Sequence, residues 1–122
     1  MGITLIMIKI SIDEASAFDI LSVQEIKISK LEDCLNKEYL LKNIQILKRE
    51  ISEQIGEDKF YQVYKSEEYF SLLDLNSNIF DLISLEENTK KSKVQEKNHR
   101  RYLQKKKIQE LYFRSKLSEQ KI

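Results

Sequence analysis

Apolar residues recur along most of this chain at spacings of three and four, the mark of helices that bury one face. Residues 3 to 12, ITLIMIKISI, depart from that rhythm. They form an almost continuous Ile-rich run between turn-compatible residues, which predicts a short strand or extended arm. A lone strand cannot stand, so this arm must pair with a second copy, pair with an extended stretch near Phe60 to Tyr64, or pack on the helices. Asp13 offers an N-cap for a helix over 13–32, with Phe18, Leu21, Ile28, Leu31 and Leu35 at roughly helical spacing. A second helix over 36–55 carries Leu40, Ile44, Leu47, Ile51 and Ile55 as a clean stripe, and Gly56 supplies a left-handed stop. The stretch EDKFYQVYK is aromatic and irregular and reads as a crossing between layers. Ser66, with Glu67 and Glu68 behind it, starts a helix over 66–85 that carries Phe70, Leu73, Ile79, Phe80, Leu82 and Ile83. The polar run EENTKKSK predicts a loop, and a last helix occupies 92–117. Four helices with short connections predict a mainly α fold, an antiparallel bundle with a short N-terminal arm, in one domain over 1–122.

Composition narrows the chemistry. With no Pro and only Gly2 and Gly56, the chain lacks the turn residues of a β-rich fold. Cys34 and His99 each stand alone among their kind, which excludes an internal disulfide and a Cys/His zinc site, and neither a metal nor another cofactor is expected. The opening apolar run is only about ten residues long, contains Lys9 and lacks a small-residue cleavage site, so no membrane partner and a cytoplasmic location are expected. No Gly-rich phosphate loop and no nucleophile elbow occur in the sequence.

Charge changes the picture most. Residues 1 to 89 hold 9 Lys/Arg against 17 Asp/Glu, net −8, whereas residues 90 to 122 hold 12 against 3, net +9. The basic last helix can be neutralised by its own acidic body, by a second copy, or by an anionic ligand. On that helix Val94, Asn98, Arg101, Lys105, Ile108, Tyr112 and Ser115 follow one another at spacings of 4, 3, 4, 3, 4 and 3 and should face one direction. If the apolar members face the bundle, so do Asn98, Arg101 and Lys105, and buried cations require acidic or anionic partners. Glu25 lies on the core stripe of the first helix between Leu21 and Ile28, Asn76 lies between Leu72 and Phe80, and Asp19 and Asp81 flank those stripes. Their convergence would make either a ligand-binding polar centre or a set of structural ion pairs with Arg101 and Lys105 snorkelling at the edge. Lys105, Lys106 and Lys107 with Arg100 and Arg114 could instead be a nucleic-acid patch or a solvated face.

The same residues resemble a domain-of-unknown-function family of small helical proteins from bacteria and cyanophages. The family opens with a pattern like S-x-G-E-L-x-D-K-x-T-I-L-E-I-K. DEASAFDILSVQEIK keeps Asp19, Ser22, Glu25, Ile26 and Lys27 of it and has Ala15, Ser16 and Ile20 where the family has Gly, Glu and Lys. A middle pattern, N-x-x-L-W-D-I-E, appears as NSNIFDLI with Asn76 and Asp81. A closing pattern like N-x-R-R-x-x-x-K-x-x-I-N, then S-x-L-x-E-x-K, is matched by Asn98, Arg100, Arg101, Lys105, Ile108, Gln109, Ser115, Leu117, Glu119 and Lys121. The resemblance spans nearly the whole chain. It implies a helical fold, no established activity, an association with surface-polysaccharide and sugar-modifying genes, and a related set of Asp19, Glu25, Asn76, Asp81, Asn98, Arg101 and Lys105.

Three functions follow as expectations. The first is a module that binds an anionic small molecule, such as a sugar phosphate, or a partner protein, with Arg101 and Lys105 as anchors, Asn76 and Asn98 orienting the ligand, and Glu25 or Asp19 setting the cations. The second is a small helical enzyme that positions a carboxylate or phosphate metabolite electrostatically, which would need Arg101, Lys105 and Glu25 to converge on a closed pocket. The third is nucleic-acid binding through the Lys105 to Arg114 face. A homodimer paired through the Ile-rich arm is compatible with each.

Overall fold

The computed structural model describes residues 11–30, 34–84 and 91–118. The described chain is mainly α, with α1 over Glu14–Lys30, α2 over Cys34–Ile55, α3 over Glu57–Tyr64, α4 over Glu67–Ser84 and α5 over Lys91–Phe113. Residues 1–10 of the expected arm, the end of the expected first helix at 31–32 and most of the expected EENTKKSK loop lie outside the described residues; Ser11 and Ile12 are not helical.

Helix α1 is central and packs on α2, α4 and α5, while α3 links α2 to α4. Its Ala15, Phe18 and Leu21 have no exposed surface. Phe18 stacks on Phe60 of α3 at 5.6 Å between ring centroids and meets Tyr69 of α4 edge-on at 5.9 Å. Phe113 of α5 closes the aromatic cluster at 6.4 Å from Phe18. Each such ring removes a large apolar area from water, so one cluster joins four helices. The α2 stripe is placed as its spacing predicts: Ile44 and Ile51 are buried, with Leu47 and Ile55 packed beside them.

Three expectations are corrected. The stretch after Gly56 is not an irregular crossing. Gly56 takes φ 91° and ψ 149°, a region open to glycine, and so turns the chain within one residue. Glu57 and Asp58 then favour a helix start, and Phe60, Val63 and Tyr64 fall at i, i+3 and i+4 on its buried side. On α4 the buried row is Tyr69, Leu72, Asn76 and Ile79, whereas Phe70 is 58% exposed and Ile83 63% exposed. Tyr69 displaces Phe70 from the core because it sits one step round the helix, where its hydroxyl finds Glu25. Helix α5 ends at Phe113 and not at 117, because Arg114 adopts φ 51° and turns the chain back. Leu117 then packs on the core, and Ser118 donates from its backbone N and Oγ to the Asp13 carboxylate, both at 2.8 Å.

Candidate functional site

Helical spacing brings acids of α1 against cations of α5. Asp19 is buried one residue beyond Phe18, on the side of α1 that meets α4 and α5. Arg101 donates its Nε to both Asp19 oxygens at 2.9 and 3.1 Å and its Nη2 to Oδ2, the two-pronged geometry that suits a guanidinium to a carboxylate. One turn further along α5, Lys105 places its Nζ 3.9 Å from the same oxygen, with only 8% of its side chain exposed. From α4, Asn76 donates to Asp19 Oδ1 at 2.8 Å and to Ser22 Oγ at 2.6 Å, and Ser22 in turn donates to the Asp19 carbonyl at 2.7 Å. Asp19 therefore joins three helices. Among the described residues no buried side-chain polar atom lacks a partner, which is the condition for such a network to be tolerated inside a small protein.

Glu25 does not join this group. Lying further along α1, it accepts hydrogen bonds from Tyr64 at 2.6 Å and from Tyr69. Burial, and then the bond to Glu25, pushes both phenols well above their ordinary range. Tyr112 is raised as well, first by its bond to Glu68 and then by burial. The convergence of Arg101, Lys105 and Glu25 that a bundle enzyme requires is thus not the arrangement found.

Two further members of the expected set lie elsewhere. Asp81 is exposed and pairs with Lys30 at 2.8 Å. Asn98 is exposed despite its place in the 4–3 row. In that part of α5 the partly covered positions are Val94 and Lys97. Gln109, by contrast, is 1% exposed and holds the α1 start: its Oε1 accepts from the Ala15 N–H at 2.9 Å and its Nε2 donates to Ser115 Oγ at 2.7 Å. Its position four residues after Lys105 and its place in the closing motif are the sequence signals that pointed to it.

Asp19 and Lys105 also form the floor of an open cleft of about 690 Å³, walled by Asp13, Ser16 and Ile20 at the start of α1 and by Ser118. Among the described residues no group of His, Cys, Asp and Glu could hold a metal ion, and no helix is long and apolar enough to cross a membrane. No protein-family model, curated protein or solved structure matches the chain.

Proposed function

We propose that the protein is a binding module for a small anionic group, a phosphate or carboxylate, taken up in the cleft above Asp19 and Lys105. The observation that carries this reading is the presence of two α5 cations on one buried carboxylate at the base of a solvent-open cleft. Arg101 satisfies Asp19 in two-pronged fashion, so Asp19 acts as a brace and not as a repelling charge. Lys105 is held beside it in a fixed position, which reduces the side-chain entropy lost when an anion docks. The Ser16 hydroxyl on the cleft wall is available to orient the ligand. Asn76 is committed to Asp19 and Ser22 and has a structural role in this scheme.

Calorimetric titration with inorganic phosphate and with glucose 1-phosphate tests the reading. Lys105→Met keeps the length of the buried stem and removes the charge. It should abolish the binding heat while circular dichroism retains the helical signal. Binding that survives Lys105→Met, or no heat from either ligand with the wild-type chain, would remove the proposal.

A further inference from the structure

The exposed sides of α4 and α5 carry two rows of opposite charge with the same period. On α5, Lys93, Arg100 and Lys107 recur every seventh residue, and all three are exposed. On α4, Glu67, Asp74 and Asp81 also recur every seventh residue and are exposed. Seven residues are close to two helical turns, so each row runs nearly parallel to its helix axis with a repeat of about 10.5 Å. Apolar side chains stand among the charges. Leu103 and Leu111 on α5 are 47% and 55% exposed, and Phe70 on α4 is 58% exposed. The two leucines line a groove of about 430 Å³ with Lys106, Lys107 and Glu110.

The two helices run antiparallel within one chain, since the start of α4 meets the second half of α5: Gln104 donates to the Glu68 carbonyl at 2.9 Å and Tyr112 donates to the Glu68 carboxylate. Among the described residues the ion pairs that involve these rows are Arg100 with Glu96 on its own helix and Asp81 with Lys30. The rows are therefore not spent on each other inside one molecule. A twofold axis parallel to the helices would lay α5 of one copy on α4 of the other, antiparallel, twice over. Equal repeats keep three acids opposite three bases along the whole contact, and Phe70 of each copy enters the Leu103 and Leu111 groove of its mate.

We propose that this α4/α5 face is a self-association surface whose occupant is a second copy of the chain. A self-complementary patch is what a twofold contact requires, and opposed charge rows give it register as well as attraction. The inference does not depend on the anion cleft, none of whose lining residues it uses. It places the dimer contact on the last two helices and not on the Ile-rich arm.

Sedimentation velocity on the full chain tests it. At about 50 mM salt the protein should sediment as a dimer, with dissociation at least about tenfold easier at about 500 mM, because exposed charge pairs are screened. The level of Glu68 between Gln104 and Tyr112 sets Glu67 opposite Lys107 of the mate, so Glu67→Lys alone and Lys107→Glu alone should each give monomers that remain helical. The double variant Glu67→Lys/Lys107→Glu restores opposite charges across the axis and should dimerise again, as should an equimolar mixture of the two single variants. A chain that is monomeric at low salt, or a dimer indifferent to both single substitutions, would overturn the proposal. So would a monomer that binds a 20-base-pair DNA duplex through a row sensitive to Lys107→Glu and not to Glu67→Lys, since that result would assign the basic row to nucleic acid.

Discussion

Asp19 is approached by Arg101 and Lys105 from α5 and by Asn76 from α4, so its removal would leave two largely covered cations facing a void. Asp19→Ala should cost about 3 to 5 kcal/mol, the range for breaking a buried pair from one side, and a urea midpoint measured with unchanged slope would show it. The tyrosines on Glu25 give a second expectation. A phenol held neutral in the folded state contributes its full stability while the pH is below the ordinary value of 10.0, where unfolded tyrosines are also protonated. Above that pH the unfolded chain ionises and Tyr69 does not, so stability should fall by about 1.4 kcal/mol per pH unit for this residue. Melting curves between pH 8 and about 11 should show a shallower decline for Tyr69→Phe than for the wild-type chain. At this scale the sequence revealed Arg101, Lys105, Asp19 and Asn76, because each lies on or beside an apolar row whose burial forces the question of a partner. It did not reveal which donor each acid takes. Glu25 found phenols in place of cations because that pairing depends on where α3 and α4 set their tyrosines, a matter of packing and not of spacing.

Among the elements, α2 was the most legible, since its stripe is uninterrupted and Gly56 ends it. The same glycine hid α3. A break of one residue between two helices leaves no polar linker to read, and eight residues are too few for a strong period. Gly56→Ala tests how much the break matters. No atom lies within 4 Å of the position a Cβ would take, so any loss comes from backbone conformation alone. With φ at 91° the substitution should destabilise the protein by about 1 to 3 kcal/mol, read as a lowered thermal midpoint. Helix α4 was misread by one position because Tyr69 and Phe70 are both bulky aromatic neighbours. Only the polar end of Tyr69, with Glu25 waiting inside, distinguishes them.

Over the whole molecule, the charge split seen in the sequence resolves into two layers. The inner cations of α5 are neutralised at Asp19, while the outer ones form the row that we assign to a second copy. The bundle itself was foreseeable from periodicity and from the scarcity of Gly and Pro, whereas the central position of α1 was not, because nothing local to α1 says that three other helices will surround it. That central position governs how the chain can mature. Asp13, Ala15 and Asp19 near the start of α1 are bound by Ser118, Gln109 and Arg101, partners 82 to 105 residues later. The start of α1 therefore has its polar partners only once α5 is present, although Asn76 of α4 also reaches Asp19. Contacts of such high sequence separation are the kind that slow the closing of a fold.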